Sequence, residues 1–295
     1  MALLFYSQDD DATAWKRELE ARLPGLDFRA WPELGAPEAI DAALVWRPPP
    51  GLLAGLPRLR CILSLAAGVD ALLADPSLPD LPLCRLVDPS LTTTMSEFVL
   101  LQVLKYHRSL DLYARQQREG RWDFRLPPPP SATAVGIMGL GELGLDAAAT
   151  LSAHGFAVRG WSRSPKDIDG VACFVGDGGL GPFLAGTAIL VCLLPLTPDT
   201  RGLLDAKAFA ALPRGAYFIN MARGGHVVDD ALLAALESGQ ISGAALDVFN
   251  VEPLPQDHPY WIHPKVHVTP HIAGATNPRT ASPGVIENIK RMRAG

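Results

Sequence analysis

The chain has 295 residues, 48% of them apolar and 19% charged, with a formal net charge of −5. That length accommodates two domains with substantial cores, and the acidic balance argues against a broad nucleic-acid-binding face. No apolar run reaches the length of a membrane span, no basic region leads into a long hydrophobic core at the N-terminus, and Cys61, Cys84, Cys173 and Cys192 form no C-x-x-C pair, so the sequence reads as a cytoplasmic protein with reduced thiols and no membrane partner.

In chain order, Ala2–Tyr6 reads as a buried strand. Asp9–Leu23 reads as a helix, because acids at its start favour the N-terminal dipole and Trp15, Leu19 and Leu23 recur at helical spacing. Further strands are expected at Asp27–Trp31, Ala43–Trp46, Cys61–Leu65 and Leu83–Val87, separated by helical or turn segments. This alternation implies a first parallel sheet covered by helices. Thr94-Met95-Ser96-Glu97 fits a capping box, and the helix it opens is expected to run to about Arg118. Its mixed register suits burial on several sides or sharing between subunits. Glu119–Pro130, with Trp122, Phe124 and consecutive prolines, reads as an extended arm that delivers the chain to the next strand.

From Ala134 onward the alternation is regular. Strands are expected at Ala134–Met138, Ala157–Trp161, Ala188–Leu194, Ala216–Asn220, Ala244–Val248 and Val266–Thr269, with helices including Leu143–His154, Ala206–Leu212 and Asp229–Ser238. The first strand runs into Gly139-Leu140-Gly141-Glu142-Leu143-Gly144, a Gly-x-Gly-x-x-Gly turn opening a helix. In this βαβ context it is a dinucleotide-binding fingerprint. Gly139 allows the tight turn, Gly141 lets backbone approach a pyrophosphate, and Gly144 lets helix and strand pack closely. The helix N-terminus, with Glu142 and Leu143, offers N–H groups and partial positive charge to phosphates. The last helix, Pro283–Arg293, is too short for a domain and is expected to return to the first one. The fold class is therefore α/β, with two doubly wound parallel sheets and a cleft between. Residues 1–96 plus 273–295 are assigned to a discontinuous substrate-binding domain, and 97–272 to the nucleotide domain with a dimerisation arm at about 98–130.

A Rossmann unit that takes NAD ends its second strand on an acid that bonds the ribose 2′-hydroxyl. Here that strand ends Trp161-Ser162-Arg163-Ser164-Pro165-Lys166, without a carboxylate. A carboxylate repels a 2′-phosphate, whereas arginine and hydroxyls bond it with charge assistance. NADP(H) is expected in preference to NAD(H).

Three polar residues stand just past strand ends: Arg223 in Asn-Met-Ala-Arg-Gly-Gly, Glu252 in Leu-Asp-Val-Phe-Asn-Val-Glu-Pro, and His271 in Thr-Pro-His-Ile-Ala-Gly. Ligands bind at the carboxyl ends of strands in such sheets, so the three can converge on one crevice. His107, His154, His226, His258, His263 and His267 lack such a setting and read as structural.

This Arg–Glu–His series and its motifs resemble the D-specific 2-hydroxyacid dehydrogenases. More narrowly, Trp46-Arg47-Pro48-Pro49, Ala66-Ala67-Gly68-Val69-Asp70, Trp161-Ser162-Arg163-Ser164 and Leu193-Leu194-Pro195-Leu196-Thr197 are similar to the glyoxylate/hydroxypyruvate reductase A type. The resemblance implies a flavodoxin-like substrate domain beside the Rossmann domain. It implies hydride transfer to a small 2-oxo acid, with Arg223 binding the carboxylate and polarising the carbonyl, His271 as general acid, and Glu252 orienting His271 and favouring its protonated form. Gly68 and Val69 would offer backbone N–H groups to the carboxylate, and Trp46 would wall the pocket. Ala222 and Asp247 would face the nicotinamide or its ribose, Leu194 and Pro195 the adenosine side, and Trp161 would join the cofactor site. A homodimer is implied through the Thr94 helix and the Trp122 arm. Two other readings stay open: an NAD-dependent D-lactate or phosphoglycerate dehydrogenase, which the absent acid after Trp161 disfavours, and a nucleotide-sensing corepressor, which the intact triad disfavours.

Overall fold

The computed structural model describes residues 2–294, which divide into two compact units. One comprises the chain up to Leu91 and again from Thr276; the other is Thr92–Ala275. The division thus falls a few residues inside each expected domain boundary.

The first unit holds strands β1 (Ala2–Tyr6), β2 (Asp27–Ala30), β3 (Ile40–Val45), β4 (Cys61–Ser64) and β5 (Leu83–Cys84), all parallel, in the order β2-β1-β3-β4-β5. This is the flavodoxin-like doubly wound order. Alternate residues of β1 and β3 serve opposite faces. Leu4, Tyr6, Ala43 and Val45 join the cluster that includes Leu53 and Leu72, while Phe5 meets Trp15 of helix α1 (Ala12–Arg22) at 6.4 Å. Burial of both faces explains why β1 is apolar throughout, and β3 apolar but for Asp41, rather than alternating. A short helix α2 (Asp70–Leu73) follows β4.

Helix α3 (Pro89–His107) is where the sequence reading needs correction. It starts five residues before Thr94, so the supposed capping box lies inside it. Pro89 occupies the first helical position, where a missing N–H costs nothing, and the Asp88 carboxylate accepts from the Ser90 N–H at 3.1 Å. Nor does the helix continue to Arg118. It breaks at Ser109, whose φ of 56° is left-handed, and α4 (Leu110–Arg118) sets off anew. The break brings Asp111 to His267 (2.8 Å) and Lys105 (3.3 Å). Burial pushes the Asp111 carboxyl up, but these two partners outweigh it and hold the carboxyl below its usual range. His267 thus fixes α4 to the sheet edge through its contact with Asp111.

The second unit is a parallel sheet of β6 (Ala134–Met138), β7 (Ala157–Ser162), β8 (Val171–Val175), β9 (Ile189–Cys192), β10 (Ala216–Asn220), β11 (Ile241–Leu246) and β12 (Val266–Val268), ordered β12-β11-β10-β9-β6-β7-β8. Helices α5 (Glu142–Ala153), α6 (Gly176–Ala185), α7 (Ala206–Ala211) and α8 (Asp229–Glu237) connect them. Sequence reasoning expected six strands and missed β8 and α6. Along the strands, successive residues divide between two cores: Tyr217 and Ile219 on one face, Phe218 on the other. The strand order reverses between β6 and β9, the switch point at which such sheets bind ligands. Finally, α9 (Pro278–Ala294) begins five residues before Pro283, with the Asn277 side chain accepting from the Arg279 N–H at 3.0 Å; it packs on α1 within the first unit.

The four cysteines are unpaired, and burial pushes the Cys61 and Cys192 thiols up to about 12. Neither is a thiolate near neutral pH, so neither is a nucleophile there. Among the described residues no helix is long and apolar enough to cross a membrane, and no cluster of His, Cys, Asp and Glu is placed to hold a metal.

Candidate active site

All seven strands of the second sheet are parallel, so the turns after β7, β6, β9, β10, β11 and β12 leave by one edge. Every residue proposed from sequence for this unit lies on or beside one of those turns. The glycine loop follows β6. Gly139 has φ 101°, and a Cβ there would come within 2.7 Å of the Leu193 carbonyl oxygen, so the loop lies directly against the turn after β9. A Cβ on Gly144 would collide with the Gly139 carbonyl, so α5 can start this close to β6 only with glycine there. Around Gly141 there is open space. Glu142 and Leu143 precede the first intrahelical bond, from Leu145 N–H to the Gly141 carbonyl, and their N–H groups are first-turn donors of the kind that bind phosphate.

At the end of β7 the chain divides roles. Trp161 and Ser162 are buried: the Trp161 indole donates to the Gly176 carbonyl at 2.9 Å, and the Ser162 hydroxyl donates to the Ser164 carbonyl at 2.7 Å. Trp161 is therefore part of the core under the site. Arg163, Ser164 and Lys166 are exposed. A turn pinned by Ser162, presenting two cations and a hydroxyl, fits the 2′-phosphate of NADP. Leu194 is likewise core, while Pro195 is exposed and its carbonyl accepts from Thr200 Oγ1 at 2.8 Å.

The Arg223 turn follows β10 and is built by Asn220, which is 1% exposed. Asn220 Oδ1 accepts from the Ala222 N–H at 3.2 Å, and its Nδ2 donates to the Arg223 carbonyl at 3.0 Å. Arg223 in turn donates to the Ala222 carbonyl at 2.7 Å and is half-buried. A Cβ on Gly224 would overlap the backbone at Phe249 and Asn250, so the Arg223 turn rests on the segment that leads to Glu252. Glycine is required there by close approach.

Glu252 is 14% exposed at its side chain and holds both ends of a short relay. Its Oε1 accepts from the Phe249 N–H at 2.9 Å and its Oε2 meets His271 Nδ1 at 2.9 Å. Asp229 anchors the same loop, accepting from Asn250 Nδ2 at 2.8 Å and the Tyr260 hydroxyl at 2.9 Å. A carboxylate on Nδ1 favours the tautomer that carries its N–H on that nitrogen.

His271 has φ 55°, left-handed and costly for a residue with a side chain, on the order of 1–3 kcal/mol. Asp247 holds it there. The buried Asp247 carboxylate (2% exposed) accepts from Thr269 Oγ1 (2.5 Å) and the N–H groups of Ile272 and Ala273 (2.9 Å each), and its backbone carbonyl accepts from the His271 N–H at 2.9 Å. Three charge-assisted bonds are roughly twice as strong as neutral ones and over-determine the turn. Asp247 thus has a positioning role that sequence reasoning did not give it. Asn220, Asp229 and Thr269 were also missed; Asn220, Asp247 and Thr269 sit inside the quoted motifs, so the signal was present.

In the first unit, Trp46 continues β3, its N–H donating to the Tyr6 carbonyl at 2.8 Å, with the Arg47 guanidinium 4.9 Å from its ring centroid. Gly68 and Val69 form the partly exposed turn between β4 and α2.

Residues 100–273 match the family model for the NAD-binding domain of D-isomer specific 2-hydroxyacid dehydrogenases. The glyoxylate/hydroxypyruvate reductase A of Serratia proteamaculans is 46% identical over 301 residues, spanning 100% of this chain and 96% of that protein. Among solved structures, a D-isomer specific 2-hydroxyacid dehydrogenase from Xanthobacter autotrophicus in complex with NADPH and MES superposes with a TM-score of 0.96 at 51% identity, covering 100% of this chain and 95% of that one. An NADPH-dependent glyoxylate/hydroxypyruvate reductase from Sinorhizobium meliloti, in complex with NADP and sulfate, gives 0.94 at 40% identity, with 100% and 95% covered. A triad carried by three neighbouring strand ends, a fingerprint glycine turn on the same sheet edge and full-length similarity lead to one assignment: the chain belongs to the D-isomer specific 2-hydroxyacid dehydrogenase family.

Proposed function

We propose that this chain is a reductase of small 2-oxo acids, glyoxylate and hydroxypyruvate foremost, that uses NADPH. The observation that carries the reading is the Glu252–His271 pair at 2.9 Å, one strand end from Arg223. Bound NADPH supplies the hydride. Arg223 binds the substrate carboxylate through its planar guanidinium and draws charge onto the carbonyl oxygen. His271 delivers a proton from Nε2 to the oxygen that becomes the hydroxyl, and Glu252 keeps Nδ1 protonated and the ring oriented. Glycine-loop N–H groups hold the pyrophosphate, and Arg163, Ser164 and Lys166 hold the 2′-phosphate. The substrate roles of Trp46, Gly68 and Val69, and the cofactor roles of Ala222, Leu194 and Pro195, belong to the same proposal.

Assays of glyoxylate, hydroxypyruvate and bulkier 2-oxo acids with NADPH and NADH test the reading. Turnover with glyoxylate and preference for NADPH are expected; no turnover with any 2-oxo acid would leave the corepressor reading standing. Arg163→Ala is expected to reduce the NADPH-over-NADH ratio of kcat/KM by about ten- to a hundred-fold, since charge-assisted bonds to phosphate contribute about 1.5–3 kcal/mol each. An unchanged ratio would remove Arg163 from the phosphate site.

The proposal includes a homodimer. Trp122, Phe124 and Leu126 are 100%, 82% and 79% exposed on the extended arm, apolar surface of the kind that marks a protein contact. A dimer mass by light scattering is expected, and a monomer would exclude it. A cytoplasmic location, testable by cell fractionation, fits the four unpaired thiols.

A further inference from the structure

His226 is fully buried in the turn Gly224–His226, where sequence reasoning gave it no role. Its Nδ1 lies 3.0 Å from the Arg223 carbonyl oxygen and its Nε2 lies 3.3 Å from the Pro195 carbonyl oxygen. Both partners are acceptors, so a ring with one N–H serves one carbonyl and a ring with two serves both. Other donors reach the same carbonyls: Asn220 Nδ2 (3.0 Å) and the His226 backbone N–H (3.4 Å) donate to that of Arg223, and Thr200 Oγ1 (2.8 Å) to that of Pro195. The backbone continues the same seam: Gly202 N–H donates to the Gly225 carbonyl at 2.8 Å and Leu204 N–H to the His226 carbonyl at 2.9 Å. The loop after β9, which packs on the glycine turn through Leu193, and the turn that carries Arg223 therefore meet along one line. The imidazole bridges them.

We infer that His226 is a positioning residue that ties the cofactor-side loop at Pro195 to the substrate-side turn at Arg223, so that one buried ring steadies the nucleotide loop through Nε2 and the oxo-acid turn through Nδ1. The inference rests on the reading of Arg223 given above. With an N–H on both ring nitrogens, as bridging two acceptors requires, it makes a two-sided prediction, because each nitrogen has its own partner. Asparagine places an amide nitrogen where Nδ1 stands and keeps the bond to Arg223 alone. Glutamine reaches the place of Nε2 and keeps the bond to Pro195 alone.

The test measures the NADPH Kd by fluorescence titration, without turnover, together with KM and kcat for glyoxylate. His226→Asn is expected to raise the NADPH Kd about ten-fold with the glyoxylate KM near wild type, the scale of one lost hydrogen bond. His226→Gln is expected to raise the glyoxylate KM about ten-fold with the NADPH Kd near wild type. General loosening of the fold would move both constants in both variants. Any pattern other than these opposite losses overturns the two-sided tie. Should either variant fail to fold by circular dichroism, Thr200→Val removes the half-exposed second donor to Pro195. It is expected to weaken NADPH binding several-fold and spare the glyoxylate KM; an unchanged Kd counts against the tie. If the wild type binds NADPH but reduces no 2-oxo acid, the reading of Arg223 falls, while the Kd measurements still judge the Pro195 side of the tie.

Discussion

Replacing His271 with alanine is expected to lower kcat for 2-oxo acid reduction by about a thousand-fold, the usual contribution of a positioned general acid, and to leave NADPH binding intact. The separation is the informative part. His271 sits after β12, its ring held by Glu252 and its backbone by Asp247, whereas the glycine turn and the Arg163 turn belong to β6 and β7. Loss of the ring removes the proton donor without touching the donors assigned to phosphate. Glu252→Gln is expected to produce a smaller kcat loss of about a hundred-fold, because the amide can present an N–H to Nδ1 and so select the wrong tautomer. Turnover retained in the alanine variant would rule out His271 as the acid, and parallel loss of NADPH binding would point to a disrupted 269–273 turn instead.

Arg223→Ala is expected to reduce kcat/KM by about a thousand-fold or more, since it removes both the carboxylate anchor and a cation beside the developing oxyanion. Arg223→Lys distinguishes the two contributions. Lysine keeps the charge but lacks the planar pair of donors, so part of the oxyanion stabilisation survives while the oxo-acid KM rises by about ten-fold or more. Steady-state kinetics with glyoxylate measure both variants. The turn itself should persist, because Asn220 and the close approach of Gly224 to Phe249 build it from backbone contacts. If the lysine variant matched wild type in KM, the guanidinium would not be the carboxylate ligand.

Much of this was legible in the chain. The runs at Ala134–Met138 and Ala216–Asn220 became strands with those limits, because strands buried on both faces are apolar without interruption and end where a turn signal begins. The glycine turn was legible because each glycine answers a steric demand. What escaped depended on tertiary partners or on competing local signals. Thr94 and Glu97 carry the spacing of a cap, yet Asp88 and Pro89 are the actual start, and β-branched Thr92–Thr94 masked a helix that packing sustains. The break at Ser109 goes with the placement of Asp111 against Lys105 and His267, the latter a contact spanning more than a hundred and fifty positions. Strand β8 is a half-buried edge strand followed by a glycine-rich helix, so no clean periodicity announced it, although Val171, Phe174 and Val175 carry strand propensity. At the site, the triad was visible as residue types past strand ends. The residues that aim it bond to groups that the fold brings within reach: Asn220, Asp247 and His226 to backbone groups, and Asp229 to the side chains of Asn250 and Tyr260.

The most direct test of the account is isotopic. Hydroxypyruvate is incubated with the protein and NADPH carrying deuterium at both C4 positions, and the 2-hydroxy acid product is resolved by configuration and mass. One deuterium at C2 of the D-isomer is the predicted result. An L-configured product, or NADPH left unconsumed with hydroxypyruvate intact, would contradict it.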